Sequence, residues 1–294
     1  MEETRNHDSL DGSIILLTGG TGSLGHAIVE EIAKRFKPAK VIVFSRDECK
    51  QFHMAQDYGQ LPWLRFLLGD VRDAERLKWI CRNVNYVIHA AAMKQIPLCE
   101  YNPLEAVKTN INGSANVVQA CLENNVKRAI LVSTDKAFMP ANLYGATKMS
   151  AERLFIAANS FNKTQFRMIR YGNVLASRGS VVEQFMNLKD QGIHEFPITH
   201  PEMTRFWFTL SQAAQAVLAI LTAPDGSAPI YIPKLPSMRI TDLAKAIDPL
   251  CTFKIIGRRP GEKIAETLCE GYSSDKNQWW LTPEDLRKML KISS

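Results

Sequence analysis

The chain predicts an α/β fold built on a doubly wound parallel sheet, and three observations carry that prediction. Short, continuously apolar runs recur with helical stretches between them, as strands buried on both faces of a parallel sheet require. The first run opens directly into a glycine-rich turn that leads into a helix. The alternation of strand and helix then continues through more than half of the 294 residues, a length that can bury a full core.

The elements follow in order. Ser13-Ile14-Ile15-Leu16-Leu17 is the first apolar run, and the turn Thr18 to Gly25 joins it to a helix over His26 to Phe36. Pro38 precedes the second run, Lys40 to Phe44, so the opening is a strand, turn, helix, strand unit. Leu64 to Leu68 makes the third strand, a polar helix covers Ala74 to Asn83, and Tyr86 to Ala90 makes the fourth strand. A long helix is expected from Leu104 to Asn124, a strand over Arg128 to Ser133, a helix from near Tyr144 to Asn159, and a strand over Phe166 to Tyr171. Past Gly172 the pattern becomes irregular: Ser177-Arg178-Gly179-Ser180, Pro197 and Pro201, a helix over Ser211 to Leu221, then scattered Pro and Gly to Gly261. This divides the chain into a first domain over residues 1–175, rejoined by about 205–222, and a smaller lobe over 176–294 packed against the sheet.

Composition excludes several classes. Hydrophobic residues make up 46% of the chain and charged residues 22%, without a low-complexity run, which argues against disorder. No apolar segment approaches the roughly 20 residues that span a bilayer, so no membrane association is expected. Met1 to Gly12 is polar and acidic and reads as a loose leader, not a secretory signal. The six cysteines are scattered without ligand spacing, which points to reduced thiols in a cytoplasmic protein and to no metal site. The net charge of +6 is dispersed, without the aromatic-interleaved stripe of a nucleic-acid surface; an anionic small substrate or ordinary surface charge accounts for it equally well.

Gly19, Gly22 and Gly25 stand between strand and helix, where backbone N–H groups can approach a pyrophosphate at the helix amino end. With Thr21, Ser23 and Leu24 they form the expected dinucleotide cradle. Ser45-Arg46-Asp47-Glu48-Cys49-Lys50 follows the second strand. Arg46 there can pair with a 2′-phosphate and stack on adenine, with Lys50 one turn away, which favours NADP. The other reading leaves Arg46 solvated and makes Asp47 a ligand of the NAD ribose, and both stand on the sequence alone. Asp70 and Val71 end the third strand where adenine would lie, while the small side chains of Ala90, Ala91 and Ala92 let backbone lie close to the cofactor.

Tyr144 and Lys148 are four apart and share a helix face. A phenol titrates near pH ~10, and a neighbouring ammonium together with an oxidised nicotinamide favours its phenolate. After a glycine-turn unit this pair is the mark of the short-chain dehydrogenase/reductase superfamily. Its third member is a hydroxyl at the preceding strand end, here Thr134, with Ser133 the other candidate. Asp135 and Lys136 come next. They read either as a surface turn or as an acid and a base flanking a sugar carbon, machinery that simple hydride transfer does not need.

Taken together, these segments resemble the inverting UDP-N-acetylglucosamine 4,6-dehydratases, extended short-chain dehydrogenases that begin pseudaminic-acid-type amino-sugar pathways. The likeness spans Thr18 to Gly25, Ser45 to Glu48, Gly69 to Asp73, His89 to Gln95, Lys108 to Asn110, Ser133 to Ala137 and Asn142 to Lys148. It continues through Arg170 to Val174, Ser177 to Val182, Met203 to Trp207 and Arg259 to Lys263. The resemblance implies that Tyr144, helped by Lys148 and Thr134, takes the 4-hydroxyl proton while hydride passes to a tightly held NADP. It further implies that Lys136 removes the proton at carbon 5, that Asp135 protonates the departing 6-hydroxyl, and that returning hydride and opposite-face reprotonation invert carbon 5. Lys94, Asn110 and Asn173 would sit near cofactor and sugar, and Arg205, Arg259 and Glu262 would hold the uridine diphosphate. Phe138-Met139, Glu183 and Ala265 depart from the family pattern and bear on sugar preference more than on reaction type. Related long enzymes carry transmembrane helices and Met at the Tyr position and retain configuration; Tyr144 favours inversion. Family members assemble as homo-oligomers, so a dimer or hexamer is expected. The competing functions are a nucleotide-sugar 4-epimerase, which needs Tyr and Lys but no Asp-Lys pair, and a catalytically silent NADP-binding regulator, which would have lost some of these groups.

Overall fold

The computed structural model describes residues 9–175 and 180–292. The expected leader falls mostly on residues 1–8, and Ser177, Arg178 and Gly179 of the Ser-Arg-Gly-Ser motif also lie outside the described residues. The strands of the main sheet are β1 (Ile14–Thr18), β2 (Lys40–Ser45), β3 (Leu64–Leu68), β4 (Tyr86–His89), β5 (Arg128–Val132) and β6 (Gln165–Ile169). Beyond them lie β7 (Asn173–Val174), β8 (Glu195–Ile198), β9 (Thr204–Phe208) and β10 (Ile230–Tyr231). The main sheet has seven strands in the order β10-β6-β5-β4-β1-β2-β3, all paired in parallel. Strand order reverses between β1 and β4, and a crevice opens beyond their carboxyl ends, the place where such sheets bind ligands.

The sheet is parallel because each apolar run has two faces to bury. Ile15, Leu17, Val41, Val43, Ile88, Ile130 and Ile169 turn to one face, against α1 (Ser23–Arg35) and the later helix Leu210–Thr222. Leu16, Ile42, Phe44, Val87, Leu131, Phe166 and Met168 turn to the other. There they meet α3 (Ala74–Ile80), which follows α2 (Glu48–Tyr58), as well as the helices Gly113–Glu123 and Leu143–Ala158. Period-two alternation thus assigns successive residues to two cores.

The long helix expected from Leu104 is interrupted. It runs as α4 (Ile96–Tyr101), α5 (Pro103–Ala106), a wider π turn over Val107–Asn112, and α6 (Gly113–Glu123). The wider turn accompanies inward placement of Thr109 and Asn110, both buried. Next come α7 (Leu143–Ala158), α8 (Val181–Asp190), α9 (Leu210–Thr222), α10 (Ile240–Ile247) and α11 (Pro283–Leu290). The irregular stretch after Gly172 holds short elements the pattern did not reveal: β11 (Ser237–Arg239), β12 (Thr252–Ile255), β13 (Thr267–Cys269) and β14 (Tyr272–Ser273). A third apolar cluster, with Phe185, Phe196, Trp207, Leu243 and Leu286, gives this region its own core.

The carboxyl end of α9 shows how the outer helices are fixed. That helix has no basic residue in its last turn, so its terminal carbonyls need donors from elsewhere. Arg128 on β5 donates to Leu221 O, and Arg167 on β6 donates to Ile220 O, Ala223 O and Pro224 O at 3.1, 2.9 and 2.6 Å. Arg128 is fully buried and also pairs with Asp225 at 2.7 Å. Arg128→Met should lower unfolding stability by about 2–4 kcal/mol in urea titration, because buried carbonyls lose their donor. Asp225→Asn, whose side chain is mostly solvated, should leave the midpoint almost unchanged.

Candidate active site

The glycine turn is dictated by contact. Gly19 has φ +69° and donates its N–H to Phe44 O at 2.8 Å. A Cβ there would lie 2.7 Å from the Ala91 backbone. A Cβ on Gly25 would run into the Gly20 carbonyl, so that glycine lets α1 pack on its own turn. The amino end of α1 carries no side-chain cap and no acid in its first turn. Its leading N–H groups and positive dipole end therefore suit an anion, and the residues fit a dinucleotide pyrophosphate.

A single cleft of about 1090 Å³ runs from this turn to the carboxyl ends of β5 and β6. Gly19, Thr21, Gly22, Ser23, Leu24, Gly25, Ser45, Arg46, Lys50, Asp70, Val71, Ala90, Ala91 and Lys94 line it. So do Thr134, Lys136, Tyr144, Lys148, Asn173, Arg205, Arg259 and Glu262. Of the candidate catalytic, cofactor-binding and substrate-binding residues, Asn110 and Asp135 are not part of the lining.

Those two side chains lie behind the lining. Asn110, expected beside cofactor and sugar, is buried and accepts Met93 N–H at 2.8 Å while donating to Met93 O at 2.9 Å and Thr147 Oγ1 at 3.0 Å. It clips the Ala90 to Gln95 loop to α7. Asp135 is 0% exposed, behind the cleft wall. Its Oδ1 accepts from Thr134 Oγ1 at 3.0 Å and from Lys136 Nζ at 2.9 Å, while Oδ2 is buried without a hydrogen-bond partner.

At the adenosine end, Asp47 caps α2. One of its oxygens accepts Lys50 N–H at 2.9 Å and the other meets Lys50 Nζ at 2.7 Å. Asp70 is bonded by Arg72 Nε and Nη2 at 2.8 and 2.6 Å, with Arg46 at 3.6 Å. Burial works against the Asp70 carboxylate, but Arg72 and Arg46 outweigh it and hold its pKa below the ordinary value. Arg205 is also committed in part: it donates to Thr204 O, Ile264 O and Lys263 O at 2.7, 3.0 and 2.9 Å and so fixes the loop after Glu262.

The candidate reacting groups come from the end of β5, the tight turn Asp135–Ala137 that follows it, and α7. Asn142 caps α7 by accepting Gly145 N–H at 2.8 Å, which starts the helix one residue before Tyr144. Lys148 is buried, and burial pulls its pKa down to about 8, against the pull of Glu152. Tyr144 departs from expectation. Burial pushes its phenol up to about 12, although the Lys136 ammonium and the Thr134 hydroxyl act the other way. Lys136 meets the opposite balance: burial disfavours its charge, but Asp135 and Glu266 overcome that and hold it above the usual lysine value. Its Nζ lies 2.9 Å from Asp135, 3.3 Å from Asn173 and 3.4 Å from Glu266.

Two residues of this cluster escaped the sequence reading. Glu152 follows Lys148 by four and Tyr144 by eight, so helical spacing could have found it. Glu266 lies some 130 residues from Lys136 in sequence, beyond the reach of any local signal. Gly19→Ala should weaken dinucleotide binding at least about 100-fold through strain at φ and collision with Ala91. Titrating the variant with the nicotinamide dinucleotide and following quenching of protein fluorescence checks this.

Residues 15–281 match the profile of the polysaccharide biosynthesis protein family. The chain is 51% identical over 257 residues to the inverting UDP-N-acetylglucosamine 4,6-dehydratase of Campylobacter jejuni, covering 86% of this chain and 76% of that protein. It is 39% identical over 294 residues to a UDP-glucose 4-epimerase of Rickettsia canadensis, covering 94% and 84%. The solved structure of Pen from Bacillus thuringiensis superposes with a TM-score of 0.90 at 32% identity, covering 96% of this chain and 98% of that one. The chain therefore belongs to the polysaccharide biosynthesis protein family and, within it, to the family of the inverting UDP-N-acetylglucosamine 4,6-dehydratases.

Proposed function

We infer that the protein is a nucleotide-sugar 4,6-dehydratase that converts UDP-N-acetylglucosamine to a UDP-4-keto-6-deoxy amino sugar with inversion at carbon 5. The observation that carries the elimination is the Lys136–Asp135 contact of 2.9 Å beside a Tyr144–Lys148 pair in one cleft. A bound nicotinamide dinucleotide supplies a hydride acceptor early in the cycle and a hydride donor late in it. Tyr144, as the phenolate held by Thr134 and Lys148, takes the proton from the 4-hydroxyl and becomes the neutral phenol. The 4-ketone so formed acidifies the proton on carbon 5. One proton moved from Lys136 Nζ to Asp135 Oδ1 turns the ion pair into an amine and a carboxylic acid, the base and acid that elimination needs. Asp135 lies behind the wall, so its proton reaches the departing 6-hydroxyl through Thr134 Oγ1, which lines the cleft and is bonded to it at 3.0 Å. As Lys136 takes the carbon-5 proton, the carbon 5–carbon 6 double bond forms and water leaves. The Asp135–Lys136 ion pair is then restored. Asn173, Arg259 and Glu262 face the sugar and diphosphate.

The cofactor is NADP in this reading. Asp47 supports it, because both its oxygens are already engaged by Lys50 and α2, while Arg46, half-exposed and held only by a 3.6 Å ion pair to Asp70, lines the cleft beside the ribose position. Arg46→Ala should lower the preference for NADP over NAD about tenfold or more, measured by competitive binding of the two. Six free thiols support a reducing, cytoplasmic setting. The exposed apolar side chains Leu98, Tyr101 and Leu104 along α4 and α5 support assembly as a homo-oligomer.

A second reading, 4-epimerase, is favoured by the 39% identity to the Rickettsia protein. Product mass separates the two. Incubation with UDP-N-acetylglucosamine and no added reductant should give a product lighter by one water, carrying deuterium at carbon 5 in heavy water. An isobaric product selects the epimerase, and no turnover of any UDP-hexose removes both. Lys136→Ala should reduce dehydration at least about 1000-fold while leaving cofactor binding intact.

A further inference from the structure

Glu266 is a buried carboxylate for which the elimination described above has no use. It is 3% exposed, yet it lines the cleft, with Oε1 3.4 Å from Lys136 Nζ. Its Oε2 is buried without a hydrogen-bond partner, and Lys263 Nζ is 4.0 Å away. Its backbone is pinned on both sides: Glu266 N–H donates to Ser274 Oγ at 3.0 Å, and Ser274 N–H donates to Glu266 O at 2.8 Å. Ser274 Oγ is itself 2.7 Å from Thr204 Oγ1. The backbone that carries the carboxylate is therefore tied to Ser274 after β14 and, through it, to Thr204 at the start of β9.

A second carboxylate beside a lysine already paired with Asp135 is costly. One ammonium cannot neutralise two buried anions, and an under-paired buried charge destabilises the fold. Lys263 offsets little of this, since it is more distant and donates to Phe138 O at 3.0 Å. The charged and titratable groups around Lys136 are Asp135, Glu266, Arg205 and Tyr144, with Lys263 behind Glu266 and Glu262 behind Arg205. The three acceptors nearest Nζ come from separate elements: Asp135 from the turn after β5, Asn173 from β7 and Glu266 beside β13.

We propose that Glu266 is a positioning residue for the elimination, acting through Lys136 by stabilising the ammonium that forms as Lys136 takes the carbon-5 proton. The proposal rests on the dehydratase reading. When its proton has passed to Asp135, the amine is neutral and keeps Asn173 as a hydrogen-bond partner, with the Glu266 carboxylate 3.4 Å away. As the carbon-5 proton arrives on Nζ, positive charge grows within reach of a preorganised carboxylate. Glu266 exchanges no proton itself; the proton gained by Lys136 comes from carbon 5, and the one lost by Asp135 leaves as part of water.

The test compares the wild-type holoenzyme with Glu266→Gln and Glu266→Asp, using UDP-N-acetylglucosamine. Glu266→Gln should lower kcat about 30-fold or more with KM within about threefold, because the lost interaction acts in the transition state. The proton shared by Asp135 and Lys136 is held more tightly while Glu266 is negative. Removing that charge should therefore move the alkaline limb of the pH–rate profile about one unit toward lower pH. Glu266→Asp keeps the charge, so its limb should stay at the wild-type pH while kcat recovers part of the loss. A Gln variant with wild-type kcat overturns the proposal, and so does one whose kcat falls while the limb stays in place, since that pattern marks mere packing. If the Gln variant does not fold, an Asp variant whose limb moves by about one unit despite keeping the charge overturns it as well. A wild-type protein that performs no dehydration overturns the dehydratase reading and this proposal together, whereas dehydration that is indifferent to Glu266 overturns this proposal alone.

Discussion

The cleft depends on a buried ion pair that belongs to none of its walls. Glu152 on α7 accepts Ser133 Oγ at 2.6 Å and Arg170 Nε and Nη2 at 3.0 and 2.6 Å. Arg170 then donates to Leu268 O at 2.7 Å and lies 5.5 Å from the centre of the Phe138 ring. One salt bridge thus joins the end of β5, the end of β6, the helix that carries Tyr144 and Lys148, and the strand two residues beyond Glu266. A desolvated pair is a poor source of net stability, but breaking it by removing one partner costs about 3–5 kcal/mol. Its contribution is registration. Ser133 is next to Thr134, so the strand end that carries the hydroxyl and the helix that carries the phenol are set against each other by the same carboxylate.

That registration lets a single environment drive three groups in different directions. Burial raises the Tyr144 phenol to about 12 and lowers Lys148 to about 8. Lys136 is raised instead, because two carboxylates outweigh its burial. Groups whose pKa values are forced apart in one cleft are suited to separate acid and base duties. Tyr144 lacks enough positive charge from the protein alone to become an efficient base. The oxidised nicotinamide expected beside it would supply more, so proton removal would depend on the cofactor being bound in the right redox state.

Much of the sheet was legible because its signals are local. Apolar runs such as Ile14 to Thr18 and Arg128 to Val132 are buried on two faces by a parallel sheet covered with helices, and Gly19 precedes a helix within four residues. The later chain was opaque because β7 and β10 are two residues long and hold together only through pairing with distant segments, β9 and β6. In the cleft, residue types were readable while orientation was not. Asn110 turns inward because the helix widens at Val107–Asn112, and nothing in its immediate sequence announces that extra turn of backbone. Glu266 depends on a hairpin anchored through Ser274 and Thr204, far from Lys136 in sequence.

The tight turn after β5 explains how neighbouring residues divide two kinds of chemistry. Thr134 is extended, and Asp135–Ala137 forms one turn of 3₁₀ helix. With about three residues per turn, successive side chains diverge by roughly 120°. Lys136 therefore faces the cleft while Asp135, directly before it, points into the protein. An α-helical turn would bring the two closer to one face, and a strand would send them to opposite faces of the sheet, out of hydrogen-bonding reach. The tighter turn keeps the carboxylate dry and 2.9 Å from the amine while only the amine meets the substrate side. Dryness matters to the proposed exchange, since a neutral amine and acid gain on an ion pair as water is excluded. A sugar that fills the cleft would itself push the pair toward its reactive form, coupling elimination to a properly seated substrate.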